Sequence, residues 1–275
     1  MTARDIPAGN RLCRASGWNQ LESDWSLFLK LNPEGCRVAE EKGDVIGTVA
    51  VIPYQQRFNW LAMVIVDPGK RRMGIGTKLL EEGLALAGEQ SCVRLDATDA
   101  GRQIYRRYGF EDEYAISRLA LSAADGQTVQ RSGSARRISL DDFPLILDMD
   151  RAVFGADREP VLRSLFSRSP ECAWLVQDSD IKGYCFGRDG FLYHQIGPIV
   201  ATDESVARAL VAHCVAAGGE ARYVIDAPDH SAEWVEWLKA TGFVKERWFT
   251  RMFRGKNRYP GDPKRVFAAA GPELG

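Results

Sequence analysis

An apolar run from Trp60 to Val66 stops at Asp67-Pro68, and a basic loop, Lys70-Arg71-Arg72, follows it. Gly74 and Gly76 then open an amphipathic segment. Read as strand, loop and helix start, this order presents the unpaired first-turn N–H groups and the positive end of a helix to an anion. Glycine at both positions lets a phosphate reach those amides without meeting a side chain. Taken alone, Gly-x-Gly before a helix is equally a tight turn, and a charge run is equally a solvated face. A nucleotide P-loop needs Gly-Lys-Ser/Thr after its glycines, and Gly76-Thr77-Lys78 does not supply that order.

Other chemistry-bearing residues are sparse. Cys13, Cys36, Cys92, Cys172, Cys185 and Cys214 form no C-x-x-C pair, and His194, His213 and His230 do not stand at metal-ligand spacing beside them. No metal is expected. A formal net charge of -1 argues against a general nucleic-acid binder. The amino terminus lacks the apolar core of a secretory signal, and Trp60 to Val66 is far too short to cross a bilayer. The expectation is a reduced, soluble, cytoplasmic protein with neither nucleic-acid nor membrane partners.

Those residues must be positioned by a framework that the periodicity sketches twice. In the first half, Ser16 to Leu31 has helical spacing, and Cys36 to Ala39, Val45 to Ile52 and Trp60 to Val66 read as strands. A helix from Gly74 to Ala87, a strand from Cys92 to Ala97, a helix from Asp99 to Tyr108 and a strand from Tyr114 to Leu121 follow. The second half repeats the outline: a helix over Leu140 to Val153 and strands around Trp174, Tyr184 and Tyr193 to Val200. It continues with a helix over Ser205 to Ala217, a strand over Tyr223 to Asp226, a helix over Ala232 to Thr241 and a strand over Trp248 to Phe253. Gly109-Phe110 precedes Ser117-Arg118-Leu119 at the spacing by which Gly242-Phe243 precedes Thr250-Arg251-Met252. Several such matches in one order point to duplication. Strands interleaved with helices in this order predict a mixed α/β sheet in each half with helices packed on it. The expected divisions are 1–121, a polar linker 122–135, 136–255, and a loop-rich extension 256–275.

Two motifs in the first half resemble the GCN5-related N-acetyltransferase (GNAT) family. Arg71-Arg72-Met73-Gly74-Ile75-Gly76 is similar to its Q/R-x-x-G-x-G/A loop, after the expected Val-Asp-Pro strand end, and Tyr105-Arg106-Arg107-Tyr108-Gly109-Phe110 to its Y-x-x-x-G-F segment. The resemblance covers about residues 10 to 121. It implies an α/β (α+β) fold of two tandem GNAT-like domains, each a mixed, mostly antiparallel sheet flanked by helices, with acetyl-CoA as co-substrate. Backbone groups of Val64 and Val66 would pair with the pantetheine arm, and Arg71, Arg72, Met73, Gly74, Ile75, Gly76 and Thr77 would hold the pyrophosphate. Thr98 stands where the family often has Asn, and Gly101 where it often has Ala; Thr98 keeps a hydroxyl able to donate and accept. Tyr105 would sit near the thioester sulfur as the acid.

Transfer of an acyl group to a primary amine follows from that resemblance, the acceptor being a small-molecule or peptidyl amine; the alternative is a non-catalytic acyl-CoA sensor. Trp60 to Val66 holds no carboxylate to serve as base. Asp24, Asp99, Asp226, His194 and His230 are the candidates elsewhere, each equally a structural residue. Trp18 and Asn19 stand where they could reach the acceptor side or simply pack. The second half has no glycine pair, and Leu238 stands where Tyr105 stands in the first, so its expected task is to close the acceptor cleft. Oligomeric state is left open.

Overall fold

β-branched and aromatic runs bounded by turns form most of the strands, and the central ones are buried by what flanks them. The structure, a computed structural model, describes residues 1–122, 129, 133–218 and 221–275. The first half comprises α1 (Ile6–Ala15), α2 (Glu22–Leu31), β1 (Cys36–Glu41), β2 (Asp44–Tyr54) and β3 (Phe58–Val66). It continues through α3 (Ile75–Ala87), β4 (Val93–Ala97), α4 (Asp99–Arg107) and β5 (Glu111–Leu121). β2 reads as an almost unbroken apolar run because helices cover both of its faces. Ala50 and Ile52 face Trp25 and Phe28 of α2, whereas Val49 and Val51 face Leu79, Leu80 and Leu84 of α3.

The helix expected over Ser16 to Leu31 is instead two helices. α1 ends at Gly17, whose φ of +66° is the left-handed conformation that glycine accepts without a steric penalty. α2 starts only after Leu21, whose backbone N–H donates to the Asp24 carboxylate at 2.7 Å. Trp18 to Gln20 therefore form a turn between helices. The two helices lie close, because a Cβ on Gly9 would meet the Trp25 ring at 2.7 Å.

The second half comprises β6 (Arg136–Arg137), α5 (Phe143–Phe154), α6 (Glu159–Arg168), β7 (Trp174–Gln177), β8 (Ile181–Arg188) and β9 (His194–Ala201). α7 (Glu204–Ala217), β10 (Tyr223–Pro228), α8 (Ala232–Ala240), β11 (Val244–Arg254) and β12 (Val266–Ala268) complete it. α6 answers α2 of the first half and packs beside it. The linker expected at 122–135 lies largely outside the described residues. The tail expected as a loop-rich extension does more: β12 joins β9, and Ala268 to Ala270 and Leu274 are fully buried.

Among the described residues both halves share one sheet, ordered β1-β2-β3-β4-β11-β5-β10-β9-β8-β7-β6, with β12 beside β9. The last strand of each half has crossed over. β11 lies against β4 of the first half, and β5 lies against β10 of the second, both antiparallel. The crossing aligns Arg251 with Asp96 and Arg118 with Asp226. Each pair is bidentate, at 2.8 and 2.9 Å for Arg251 and at 2.7 Å twice for Arg118, with every side chain at most 5% exposed. Removing one partner of such a pair strands a desolvated charge at a cost of about 3–5 kcal/mol. Arg251→Met should therefore lower stability by about 3–5 kcal/mol. Because the strands are exchanged, the loss should appear as one denaturant transition, reported alike by fluorescence and by hydrogen exchange in both halves. Two separated transitions would contradict this interlocked architecture.

Candidate active site

β3 and β4 pair in parallel only at Asn59–Val93 and Trp60–Arg94. Beyond that point β3 is bent. Between the pairs Thr48–Ile65 and Ala50–Ala62, two residues of β3, Met63 and Val64, oppose the single Val49 of β2. This is a β-bulge, and Met63 takes φ +55° to make it. The buried Thr48 hydroxyl donates to the Met63 carbonyl at 2.8 Å and holds the bulge in place. The strands diverge, and a cleft opens between Leu61–Val64 on one side and Leu95, Asp96 and Thr98 on the other. Its volume, open mouth included, is about 690 Å³.

The loop at the outer end of β3 leaves the first amides of α3 without a side-chain cap. Asp67 accepts from the Gly69 amide at 2.9 Å and tightens the turn. Arg72 and Gly74 adopt φ of +65° and +79°. Gly74 caps α3 without any side-chain hydrogen bond, so the amides of Ile75, Gly76 and Thr77 have no intrahelical acceptor. Met73 is 61% exposed beside them. Arg71 is exposed and donates to Ser16 Oγ at 2.9 Å. Lys70 turns aside to the Glu41 carboxylate, which raises its pKa. The two glycines have different reasons: Gly74 is required by its φ, whereas a Cβ on Gly76 would meet only Val66 Cγ2 at an ordinary 3.5 Å. The fold itself does not demand glycine at 76.

Tyr105 of α4 reaches the cleft from the β4 side, its ring 5.7 Å from that of Phe110. A Cβ on Gly101 would come to 2.9 Å of Tyr105 Cε2, so the small residue makes room for the ring. Burial pushes the Tyr105 phenol up to about 12. Thr98 also lines the cleft, but its oxygen accepts from the Gly101 amide at 3.3 Å and caps α4, leaving the hydroxyl hydrogen to donate elsewhere. Val64 lines the cleft directly, and Val66 ends the strand at its loop side.

The inner end of the cleft is assembled from distant parts of the chain. The turn Trp18–Gln20, Arg118 of β5, Arg247 and Phe249 of β11, and Pro272 and Glu273 of the tail meet there. Asn19 is occupied in joining the halves, its amide bonded to the backbone of Leu192 and Tyr193 at 2.7 to 3.1 Å. The tail is fastened by Trp60 Nε1 donating to the Pro272 carbonyl at 2.9 Å and the Tyr54 hydroxyl to the Leu274 carbonyl at 2.8 Å. Arg247 and Glu273 were not legible as site residues. The apolar run Val266 to Ala270 ahead of Gly271-Pro272 was the one signal that this tail is buried.

The sequence candidates for a base are spoken for. Asp24 binds Arg168 and Arg188 at 2.7 Å each, Asp226 is held by Arg118, and Asp99 accepts from Trp248 Nε1 at 3.1 Å. His194 and His230 do not line the cleft; they pack on Tyr223 and Phe267. In the second half the corresponding spaces are filled. Asp203 caps α7 through the Ser205 and Val206 amides at 2.9 and 3.2 Å, which places a carboxylate where an anion would bind. The tail lies between β9 and β10: β12 pairs with β9, and the Ala269 amide donates to the Asp226 carbonyl at 2.9 Å. Leu238 is fully buried.

Both halves resemble known proteins. A family model described as "Acetyltransferase (GNAT) domain" matches residues 32–112, and a second of the same description matches residues 146–268. The chain is 25% identical over 271 residues to the holothin acyltransferase of Pseudoalteromonas sp. (strain SANK 73390), covering 97% of this chain and 90% of that protein. It is 26% identical over 237 residues to the uncharacterized N-acetyltransferase YitH of Bacillus subtilis (strain 168), covering 86% and 83%. Among solved structures, a candidate acetyltransferase from Pyrococcus horikoshii superposes with TM-score 0.85 at 22% identity, covering 100% of this chain and 94% of that one. A tandem GNAT protein of the clavulanic acid biosynthesis pathway gives TM-score 0.63 at 15% identity, covering 92% and 96%. These structural likenesses carry the fold. With two family models matched in succession and a tandem fold to accommodate them, the chain belongs to the GNAT acetyltransferase superfamily and contains two GNAT-like domains.

Proposed function

We propose that this chain is an N-acyltransferase that moves an acetyl or related acyl group from coenzyme A to a primary amine, using one site, in the first half. The observation that carries the proposal is the cleft between β3 and β4, with free helix-start amides at its outer end and Tyr105 on its wall. The edge of β3 at Val64 and Val66 suits a pantetheine amide, as an added strand would pair, with the Arg71 Nε now 3.3 Å from the Val66 carbonyl giving way to it. The amides of Met73 to Thr77, with Arg71 and Arg72 beside them, suit a diphosphate. Gly76 fits the same reading, since close approach of a phosphate supplies the reason for glycine that the fold does not. Thr98 has a hydroxyl hydrogen to offer within the cleft. Similarity to a protein named as an acyltransferase, over nearly the whole chain, supports the reaction class.

Bound acyl-CoA supplies the activated acyl group; the residues supply position and hydrogen bonds. A phenol held near 12 stays neutral through the physiological range. It is a weaker acid than a thiol of about 8.5, so Tyr105 serves as a hydrogen-bond donor to the leaving sulfur rather than as a complete proton donor. An alkyl ammonium of pKa about 10.4 must shed its proton before attack, at a cost of roughly 4–5 kcal/mol at neutral pH. β3 carries no carboxylate, and both oxygens of Asp96 are held by Arg251.

Gly76→Asp should leave the fold intact, because its Cβ has room, and weaken acetyl-CoA binding by about 100-fold or more. Titration calorimetry measures this, and wild-type protein should take up one equivalent per chain. Unchanged affinity, or two equivalents, would refute the site. Tyr105→Phe should lower kcat by about 10²-fold and shift acetyl-CoA affinity by no more than about threefold. Because the phenol ionises only near 12, the wild-type rate should show no descending limb attributable to Tyr105 between pH 6 and 10. A limb there that Tyr105→Phe abolishes would contradict this. Uptake of acetyl-CoA with no thiol release for any amine would favour the sensor reading.

A further inference from the structure

At the inner end of the cleft, Arg247 has no ion-pair partner and Glu273 is only partly paired. Arg247 makes no hydrogen bond or ion pair among the described residues, and its Nε is buried without an acceptor. A bulge in β11 places it: Lys245 pairs with Leu119 and Arg247 with Arg118, so Glu246 is the extra residue. Two guanidinium groups thus stand directly opposite one another across neighbouring strands, an arrangement that is destabilising unless an anion joins them. Asp226 already neutralises Arg118. Arg247 is left with a desolvated positive charge, and burial together with the like charge of Arg118 pushes its pKa down.

Glu273 has the opposite condition. Its side chain is 3% exposed, and one oxygen pairs with Arg188. The other, Oε2, is buried and accepts no hydrogen bond. Arg188 is shared with Asp24, which Arg168 also binds, so Glu273 does not have Arg188 to itself. Burial pushes the Glu273 carboxyl up in pKa. No ion pair joins Glu273 to Arg247, although both line the same cleft. Desolvating charge that is incompletely paired is costly, a burden carried where a ligand completes the site. Trp18 and Phe249 add aromatic surface at this end.

We infer that the acceptor is a free amino-acid-like zwitterion, whose carboxylate is bound by Arg247 and whose ammonium is received by Glu273 Oε2. This rests on the acyl-transfer reading and narrows it, because a plain amine leaves Arg247 unpaired and a peptide amino terminus has no carboxylate beside it.

The test uses the full chain saturated with coenzyme A and three matched probe sets, built on the phenylalanine, leucine and glutamine side chains. Each set contains the L-amino acid, its decarboxylated amine and its deaminated acid. In at least one set the amino acid should bind, by calorimetry, at least tenfold more tightly than either counterpart. Arg247→Gln, at a half-exposed position, should reduce the preference over the amine to within about twofold. Glu273→Gln should do the same to the preference over the acid. Amines binding as well as amino acids in every set would overturn the inference, as would absence of amino-acid binding or a preference that Arg247→Gln leaves intact. The wild-type comparison decides even if Glu273→Gln fails to fold. Efficient thiol release with plain amines would overturn the zwitterion while leaving acyl transfer standing; a tenfold binding preference without thiol release for any acceptor would do the reverse.

Discussion

The architecture depends on two buried arginine–aspartate pairs that cross between the halves. Arg251 belongs to the second half and meets Asp96 of the first; Arg118 belongs to the first and meets Asp226 of the second. A buried ion pair contributes little net stability compared with apolar packing, but half of one is severely destabilising. Its effect is therefore on which arrangement is allowed. With β5 beside β10 and β11 beside β4, all four charges are satisfied in register, and any slip of either strand leaves them stranded. Arg251 also binds the Tyr114 hydroxyl at 2.7 Å and lies over the Trp60 ring, so the pair is tied into the core of the first half.

Exchange also explains how two copies of one outline came to differ in chemistry. A diverging strand pair is a liability, since it exposes unpaired backbone groups in the middle of a protein. Each half handles it in its own way. In the second, the tail supplies the missing partners, and Asp203 caps the helix that follows. A Cβ on Gly197 would lie 2.0 Å from the Ala269 carbonyl, which shows how closely the tail fits. In the first half the bulge at Met63 keeps the strands apart and Gly74 leaves the helix start uncapped. The open half is the one that also possesses Tyr105, and the filled half is the one with Leu238.

What was legible in the sequence was local. The strand end at Asp67-Pro68, the glycine pair and Tyr105 ahead of Gly109-Phe110 lie within short stretches whose geometry follows from nearest neighbours; Tyr105 lines the cleft, and the glycine pair opens the helix after β3, one of its walls. The duplicated Ser117-Arg118-Leu119 and Thr250-Arg251-Met252 were visible as a repeat, but their partners were not. Pairing within each half or between halves satisfies the same strand pattern, and periodicity cannot choose between them. A stronger use of the repeat was available: an arginine in an apolar strand of each half, with an aspartate at matching places in Val93–Ala97 and Tyr223–Pro228, demands partners. The helix over Ser16 to Leu31 failed for a related reason, because its apolar spacing runs on through Gly17 although the backbone turns there. Arg247 and Glu273 were hidden by distance in sequence, since each becomes significant only beside residues from the other half.

That distance has a consequence for specificity. The outer part of the cleft, where coenzyme A is expected, is lined by β3, β4 and α4 with its capping Thr98, all of the first half. The inner part is built from the Trp18–Gln20 turn, the exchanged strand β11 and the tail, which reaches it only after passing through the second half. Changes in β11 or the tail can therefore alter the acceptor while the donor side is untouched, provided that Arg251 still meets Asp96. The second half, with its own cleft sealed, acts as the frame that delivers Arg247 and Glu273 to the first. Under this arrangement a tandem protein can keep one acyl-donor site and change what it acylates by substitutions at least a hundred residues away in the chain, and the recognition of a free amino-acid-like acceptor inferred for this chain is one such outcome.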